Sequence, residues 1–140
     1  MNYILCNIII NSILVGIILM TQFVNYPLFK SIDLDFNKYH QKYTERMGYV
    51  VAPLMIIELI LVIYITINHY NNLLVILISL LTFFIWISTF FIQVPIHNRI
   101  SRKRVGGQII FLIKSNYIRT VCWLIKLIIS IELLYISQEV

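Results

Sequence analysis

Charged residues are scarce in this sequence, and acidic residues most of all. Of the 140 residues, 12% are charged and only 6 are Asp or Glu, whereas 60% are hydrophobic and the mean hydropathy is +0.88. In a soluble globular domain about half of the residues are apolar, and a chain of this length has no interior large enough to bury the excess. The composition therefore excludes a water-soluble domain and predicts a membrane protein.

Cysteine, glycine and proline are also rare, with 2, 4 and 3 residues respectively. Cys6 and Cys122 fall at different depths of the apolar runs, so we expect no disulfide between them, because that bond needs Cα atoms within about 7 Å of each other. The sequence has no low-complexity stretch and no linker that would separate two domains. We therefore expect a single transmembrane domain that covers residues 1–140.

Long apolar runs are what the sequence has in abundance. Four of them, at 4–26, 48–67, 73–94 and 117–136, reach the length of about 20 residues that a membrane-spanning helix needs. No Lys or Arg precedes the first run and no small-residue cleavage site follows it, so we expect a retained span and not a signal peptide. The pattern predicts an all-α, integral membrane four-helix bundle.

The basic residues lie in two of the three connections between these runs. The first connection contains Lys30, Lys38, Lys42 and Arg46, and the third contains Arg99, Arg102, Lys103, Arg104 and Lys114. The middle connection, NHYNN, and both termini carry no Lys or Arg. The positive-inside rule then predicts a multi-pass protein of the bacterial cytoplasmic membrane, with both basic loops in the cytoplasm and both termini outside. Attraction to anionic lipid explains the +5 net charge, so we expect no nucleic-acid partner.

The first basic connection has an amphipathic pattern. Its aromatic residues and Met47 recur at helical spacing, opposite to Lys38, Lys42 and Glu45; this face consists of Phe36, His40, Tyr43 and Met47. We expect a short amphipathic interfacial helix between spans one and two, with its aromatic residues as membrane anchors. Asp33 or Asp35 would cap its start.

The second basic connection contains a turn at Gly106-Gly107. The QIIFLIK segment that follows either docks at the interface or extends span four downward. In the first case Ser115 or Asn116 caps the start of the span.

Two charged residues lie deep within the predicted spans. Glu58 and Lys126 are each about ten residues beyond the cytoplasmic start of their span, which is a depth of about 15 Å. An unpaired charge at that depth costs several kcal/mol. We therefore predict that Glu58 and Lys126 neutralise each other, directly or through a ligand. Asn7, Asn11, Ser79 and Thr82 are interpreted as hydrogen-bonding groups between helices.

The densest set of polar residues lies in the cytoplasmic third of the bundle. It contains Gln22, Asn25, Tyr26, Gln93, His97, Asn98, Asn116 and Arg119, with His40 below them. Pro27 and Pro95 end or bend their helices at this level, which frees backbone carbonyls to face a cavity. We predict a polar pocket here. Arg119 suits an anionic or carbonyl group because guanidinium donates a planar pair of hydrogen bonds; the alternative is that it reaches out to the lipid headgroups.

Metal or haem ligation through His40 and His97 also stays open, since two imidazoles and a carboxylate can bind a metal. No HxxH or ExxH spacing ties such ligands together, so we assign no residue to a metal site.

A weak internal symmetry is visible in the spans. Gln22 precedes Pro27 in span one as Gln93 precedes Pro95 in span three, and spans two and four contain the Glu-Leu pairs at Glu58 and Glu132. A parallel repeat of a two-helix unit is one explanation.

Several segments together resemble a group of small bacterial four-span membrane proteins that is distantly similar to the anthrone-oxygenase-like family. The segments are QFVNYPLF, FNKYHQKYTERMGYVVAPLMIIEL, WISTFFIQVPIHNRI and KSNYIRTVCW. The residues that carry the resemblance are Tyr26-Pro27, His40, Pro53, Glu58, Gln93-Val94-Pro95, His97-Asn98, Asn116, Arg119, Thr120 and Trp123; Tyr117 departs from the Trp usual in the close relatives. The resemblance implies an oxidoreductase that acts on polycyclic aromatic ketone precursors, without a recognised cofactor motif.

The sequence as a whole predicts a protein that binds, and oxidises or isomerises, a hydrophobic small molecule with a polar head. His97 is the acid–base candidate because the ordinary pKa of an imidazole is near neutrality, Arg119 would stabilise negative charge, and Glu58 completes the catalytic set. The expected ligand contacts are Gln22, Tyr26, His40, Gln93, Asn98, Asn116, Trp123 and Lys126. Two alternatives remain: a small proton-coupled exporter with Glu58 as its titrating group, and a non-catalytic subunit of a larger membrane complex. A homo-oligomer is compatible with each of them.

Overall fold

The structure is a computed structural model that describes residues 2–32 and 34–139. These form α1 (Asn2–Met20), the π-helical segment π1 (Thr21–Asn25), α2 (Tyr26–Leu28), α3 (Phe36–Asn68), α4 (Leu73–Ser88), the π-helical segment π2 (Thr89–Gln93), α5 (Val94–Arg102) and α6 (Gly106–Glu139). Span one consists of α1, π1 and α2; span two is α3; span three consists of α4, π2 and α5; span four is α6. All four are long and apolar enough to cross a membrane. The predicted all-α membrane bundle is confirmed.

Consecutive spans run in opposite directions, so the connections alternate between the two ends of the bundle. At one end the Arg104 side chain donates a hydrogen bond of 2.9 Å to the Lys30 carbonyl, which joins the first and third connections. At the other end the Tyr3 hydroxyl lies 3.2 Å from Nε2 of His69. We call the end that contains Lys30 and Arg104 the basic end.

The segment between spans one and two is helical, but the prediction that it forms a separate interfacial helix is wrong. Residues 36–47 are the first part of α3, which continues without a break into span two. Phe36 and His40 are buried, with ring centroids 6.0 and 5.0 Å from that of Phe29. The aromatic face therefore packs against protein and not against the membrane interface, and the segment stays aligned with the span that follows it.

The predicted helix caps are also wrong where the structure describes them. Asp35 stands at the N-cap of α3 but makes no side-chain capping bond, and Asp33 lies outside the described residues. The fourth span begins at Gly106, so QIIFLIK extends it and Ser115 and Asn116 lie inside the helix. Both side chains are buried and make hydrogen bonds to other spans. Tertiary contacts thus use the polar groups that the sequence assigned to capping.

Buried apolar side chains form three clusters along the bundle. The cluster at the basic end contains Tyr26, Phe29, Phe36, Ile96, Ile100, Ile109 and Leu112; the middle one contains Leu14, Val15, Ile18, Met55, Ile85 and Trp123; the third contains Ile4, Val62, Ile65, Val75, Ile78 and Leu133. The outer surface is also apolar, and Phe91, for example, is 77% exposed. Such a surface is stable in lipid, where it faces apolar acyl chains.

The same irregularity interrupts spans one and three. The sequence from Thr21 is TQFVNYPL and the sequence from Thr89 is TFFIQVPI. In each, the residue before the proline donates its N–H to the carbonyl of that threonine, five residues earlier, which is the π-helical pattern. A wide turn at this point accommodates the proline ring, which would clash with a carbonyl of the preceding α-helical turn. Each inserted residue also rotates the following side chains by about 100° around the helix.

The two segments lie 68 residues apart, and the same shift relates spans two and four. Lys126 follows Glu58 by 68 residues. The buried positions of span two, 55, 58, 62 and 65, recur in span four at 123, 126, 130 and 133. The first and second pairs of spans therefore share one pattern of buried and irregular positions, and we call this shared pattern the two-helix repeat. The pairs suggested by the sequence, Gln22 with Gln93 and Glu58 with Glu132, do not fit this shift.

Candidate functional site

A cavity of about 750 Å³ lies between spans two and three in the half of the bundle near the basic end, and spans one and four complete its walls. Its polar lining includes Tyr26, Gln93, His97, Asn98, Asn116 and Arg119, and the other polar residues that line it are Thr21, Gln41, Tyr43, Thr44, Glu45 and Thr89. Much of the remaining lining is apolar and includes Leu14, Ile18, Val51, Met55, Trp86 and Trp123. Small-molecule sites in proteins have volumes of about 300–1,000 Å³ and combine apolar walls with a few polar groups. The cavity has both properties.

The cavity opens between two helices, and the opening continues to the basic end, where the exposed lining residues are Gln41, Glu45 and Asn98. Gly48 and Ala52 of span two and Phe90 and Val94 of span three line it and are also exposed on the outside of the bundle. A Cβ atom built on Gly48 would meet nothing within 4 Å. The opening therefore exists because two consecutive turns of span two carry little or no side chain at this position.

Arg119 stands on the polar wall, held by a chain of amides. Its Nη1 donates to Oδ1 of Asn116 at 3.3 Å, and Nδ2 of Asn116 donates to Oε1 of Gln22 at 2.9 Å. Nε2 of Gln22 donates in turn to the Ile113 carbonyl at 3.3 Å. Nε of Arg119 is buried and has no hydrogen-bond partner among the described residues. The guanidinium carries five N–H groups, so donors remain for a molecule in the cavity.

Gln93 is held in a similar way by span four. Its Nε2 donates to Oγ of Ser115 at 3.0 Å, and Ser115 donates to the Leu112 carbonyl at 3.1 Å. Oε1 of Gln93 is buried without a partner among the described residues. A buried carbonyl oxygen without a donor is destabilising unless a ligand or a water molecule supplies one.

Tyr26 and His97 form another part of the polar lining and begin a chain of hydrogen bonds. The Tyr26 hydroxyl lies 2.9 Å from Nε2 of His97, and Nδ1 of His97 lies 3.0 Å from Nε2 of His40. Nδ1 of His40 lies 2.7 Å from Oγ of Ser101. The two imidazole rings stack, with centroids 5.1 Å apart and planes inclined by 23°. The chain runs from the cavity to Ser101, which is half-buried in the last turn of α5 at the basic end.

A metal or haem iron at this site would need a ring nitrogen of His40 or His97 as its ligand. All four ring nitrogens of His40 and His97 already take part in hydrogen bonds within the chain. Within residues 2–32 and 34–139, no group of three or more His, Cys, Asp or Glu side chains is arranged to hold a metal ion. In this structure the imidazole nitrogens of the site therefore act as hydrogen-bond donors and acceptors.

The predicted ion pair between Glu58 and Lys126 is confirmed. Both side chains are fully buried, and Nζ of Lys126 donates to Oε1 of Glu58. The ammonium also lies 3.7 Å from the centre of a Trp123 ring and 3.5 Å from Oγ1 of Thr82. Trp123 lines the cavity, whereas Glu58 and Lys126 do not. The pair lies behind the indole and supports this wall without contacting the space inside.

The structure divides the residues that the sequence assigned to the site into two sets. The residues that line the cavity are Tyr26, Gln93, His97, Asn98, Asn116, Arg119 and Trp123. Gln22, His40 and Lys126 lie behind the lining and contact it, and Glu58 lies behind the lining and contacts Lys126. Arg119 is half-buried and bonded to Asn116, so it does not extend freely toward the headgroups.

Spacing in the sequence places Trp86 and Thr89 on the same helical face as Gln93, and both line the cavity. Two other residues of the site did not stand out in the sequence. Tyr43 also lines the cavity, although the sequence favoured a membrane anchor. Ser101 gives no signal in the sequence, because its role depends on the approach of His40 from another span.

Comparison of the chain with family models, with curated proteins and with solved structures found no match. The resemblance to the anthrone-oxygenase-like family stays a prediction that rests on the residues quoted for it.

Proposed function

We propose that this multi-pass membrane protein binds a hydrophobic small molecule with an anionic or carbonyl head in the cavity between spans two and three. The observation that carries the proposal is the state of Arg119. It is a half-buried cation on the polar wall of a largely apolar cavity, and among the described residues it has one hydrogen bond and an Nε without a partner. A head group that accepts hydrogen bonds satisfies these donors, and the apolar lining holds the rest of the molecule.

The lateral opening supports the entry of such a molecule from the bilayer. We place the basic end in the cytoplasm of a bacterial cell, following the positive-inside rule. The cavity then lies in the inner half of the membrane, where an amphiphile has its head at the level of Arg119 and its apolar part at the level of the surrounding acyl chains.

Acid–base chemistry on the bound molecule is the second part of the proposal. Tyr26 and His97 provide exchangeable protons on the cavity wall, and Arg119 provides a positive charge that stabilises an oxyanion. This combination suits isomerisation or oxidation of a carbonyl compound. A second, smaller pocket lies further along spans two and three and is lined by Val62, Thr66, Ser79 and Phe83, among others. Glu58 is buried and lines neither pocket, which supports this proposal over an exporter that titrates at Glu58.

Binding is tested with three amphiphiles that share a chain and differ in the head group: dodecanoate, dodecanol and dodecyltrimethylammonium. We expect dodecanoate to bind the purified protein most tightly in calorimetric titrations. Arg119→Met should weaken dodecanoate binding by about tenfold or more, because a hydrogen bond to a charged group contributes about 1.5–3 kcal/mol. Arg102→Met removes an exposed charge at the same end and is the control. Equal affinities of the two variants, or tightest binding of the cation, would contradict the proposal.

The reaction implied by the family resemblance is tested separately with anthrone as the probe. Anthrone and O2 give anthraquinone and water, and both product formation and O2 consumption are measured. Acceleration by the wild-type protein and its loss in Arg119→Met would support an oxidoreductase. A rate equal to that in empty micelles, with dodecanoate still bound, would leave the binding proposal in place and reject this reaction.

Co-purification distinguishes the remaining alternative. A subunit of a larger complex should elute from gentle detergent with other chains, whereas a self-sufficient binding protein elutes as one copy or as a homo-oligomer. Mass spectrometry of the same sample identifies any small molecule that is retained.

A further inference from the structure

Three hydrogen bonds connect the cavity to the basic end of the bundle in one continuous series. The atoms in sequence are the Tyr26 hydroxyl, the two ring nitrogens of His97, the two ring nitrogens of His40 and the Ser101 hydroxyl, with separations of 2.9, 3.0 and 2.7 Å. Each of these groups can both donate and accept a hydrogen bond. An uninterrupted series of such groups conducts protons, since each can receive one on one side and release one on the other.

The histidine pair sets the direction of the whole chain. A neutral imidazole has one N–H and one bare nitrogen. A positive charge on His97 is unfavourable because the ring is removed from water and Arg119 is already positive nearby. With both rings neutral, every hydrogen bond must point the same way. Either Tyr26 donates to His97 and His40 donates to Ser101, or all the bonds are reversed. In the reversed state the Tyr26 hydrogen is free to point into the cavity.

We propose that Tyr26 exchanges a proton with the bound molecule, and that His97, His40 and Ser101 relay that proton between Tyr26 and water at the basic end. The proposal rests on the proposed function and deepens it: the ligand is a hydrophobic carbonyl compound that enolises. Tyr26 is the catalytic residue. His97, His40 and Ser101 are positioning and relay residues, because His97 has both ring nitrogens engaged and His40 is fully buried behind it.

The transfer balances in each direction. To protonate an enolate, the Tyr26 O–H bond breaks and its proton joins the enolate carbon, whose C=C electron pair forms the new C–H bond. Tyr26 then takes a proton from Nε2 of His97, and Nδ1 of His97 takes one from Nε2 of His40. Nδ1 of His40 takes the proton of Ser101, which is replaced from water and leaves hydroxide in the solvent. Enolisation is the reverse, and no group of the relay ends with a charge.

The residues packed around the relay hold its side chains in place. His40 is enclosed by aromatic rings, with Phe36 stacked at 5.5 Å and Phe29 edge-on at 5.0 Å. Both ring nitrogens of His40 are directed to the neighbouring members of the relay, His97 and Ser101. Burial disfavours a phenolate at Tyr26, and the charge of Arg119 offsets only part of that cost, so any phenolate is short-lived and is reprotonated at once by His97.

The first experiment detects the relay without a ligand. Protein labelled with ¹⁵N at its three histidines should show a ¹⁵N–¹⁵N coupling across one shared hydrogen, with one protonated nitrogen per ring. His40→Gln should abolish the coupling, and His69→Gln, at the opposite end of the bundle, should leave it unchanged. Absence of the coupling in the wild type, or rings that are both doubly protonated, would overturn the proposal.

The second experiment measures the proton exchange with 2-tetralone, a hydrophobic ketone that enolises. In D2O the wild type should speed deuterium entry at the α-carbon over empty micelles. Tyr26→Phe should lose about a hundredfold of this acceleration or more, the scale of general acid–base catalysis. His40→Gln and Ser101→Ala should lower the rate while dodecanoate binding is unchanged, and His69→Gln should match the wild type.

The outcomes separate the two proposals. If the wild type binds dodecanoate but does not accelerate exchange, or if Tyr26→Phe and Ser101→Ala exchange at the wild-type rate, the relay is wrong and the binding function stands. If the wild type does not bind dodecanoate, the proposed function fails, and the coupling between the histidines still reports on the chain of hydrogen bonds. Ser101→Ala replaces a half-buried side chain at the edge of the bundle, so it provides the test if His40→Gln does not fold.

Discussion

The contact between spans one and four and the contact between spans two and three occupy equivalent places in the two-helix repeat. In the first, Asn116 is fully buried and bonds to Gln22 across the contact, and Thr120 is buried one turn further on. The residues 68 positions earlier, Gly48 and Ala52, are exposed and line the cavity. We call the first contact the closed seam and the second the open seam. The same helix arrangement thus forms a closed contact where the two positions carry Asn116 and Thr120, and a cavity where they carry Gly48 and Ala52.

The ion pair lies where the two halves of the repeat meet. Glu58 and Lys126 are equivalent positions with opposite charges, and each is fully buried. Identical charges at these positions would repel each other, so the pair requires that the two halves differ in sequence at this point. The two halves therefore differ both at the centre of the bundle and at the seams.

The largest expected effect comes from breaking the ion pair. Lys126→Met leaves the Glu58 carboxylate buried without its partner, and the free energy of unfolding should fall by about 3–5 kcal/mol. Adding Glu58→Gln should restore most of this loss, because the uncompensated charge is then removed. Unfolding in mixed micelles with increasing denaturing detergent measures both. Equal stabilities of the single and double variants would contradict the role assigned to the pair.

Closing the open seam should remove binding without loss of stability. In Gly48→Leu with Ala52→Leu, the new side chains occupy the opening, where a Cβ at Gly48 meets nothing within 4 Å. Dodecanoate affinity should fall by about tenfold or more, since the apolar contacts and the route of entry are both lost. The unfolding free energy should stay equal or rise, as replacement of a helical glycine adds up to about 1 kcal/mol.

The matched control is Gly16→Leu in span one. Gly16 is exposed, does not line the cavity, and also has nothing within 4 Å of a built Cβ. It should leave dodecanoate affinity at the wild-type value. A loss of affinity equal to that of the Gly48 and Ala52 variant would mean that helix surface properties, and not the opening, control binding.

Opening the closed seam should be moderately destabilising. Asn116→Ala deprives Oε1 of Gln22 of its donor and removes the acceptor of Arg119. An unsatisfied buried polar group costs about 1–3 kcal/mol, and the unfolding free energy should fall by that amount. Thr120→Val removes only a hydrogen bond within α6, to the Asn116 carbonyl, and should cost less. The reverse order would contradict the view that Asn116 seals this contact.

The smallest effects should be equal in the two halves. The Thr21 hydroxyl donates to the Ile17 carbonyl at 2.8 Å, and the Thr89 hydroxyl donates to the Ile85 carbonyl at 2.7 Å. Thr21→Val and Thr89→Val remove these equivalent bonds, and each should lower the unfolding free energy by about 0.6 kcal/mol, an average value for hydrogen bonds within membranes. Losses that differ severalfold would show that π1 and π2 do not have the same structural role.

The sequence predicted the parts of the site that depend on helical periodicity and depth. Gln93, Asn116 and Arg119 were predicted to share one level because each lies near the same end of its span, and all three line the cavity. Equal depth also predicted the contact between Glu58 and Lys126. Position along a membrane-spanning helix is almost a one-dimensional coordinate, so counting residues is sufficient for such predictions.

The errors arise where a segment meets several partners. The pattern of residues 36–47 is amphipathic whether its aromatic face meets lipid or protein, and only the packing of Phe29 against His40 decides between them. Ser115 and Asn116 are good capping residues in isolation, yet their side chains bond to spans three and one. The π-helical turns were likewise invisible, since Pro27 and Pro95 predict a disturbance but not its form.

The sequence by itself determined that this protein is a bundle of four spans with a polar level near its basic end. Apolar length and the spacing of polar residues fix those features before any helix meets another. Only the tertiary structure decided that His40 reaches Ser101 and His97, that Asn116 closes one seam, and that the equivalent seam at Gly48 stays open. Glycine has no side chain to leave a periodic signal, and a cavity is set by the distance between helices, which no single helix encodes.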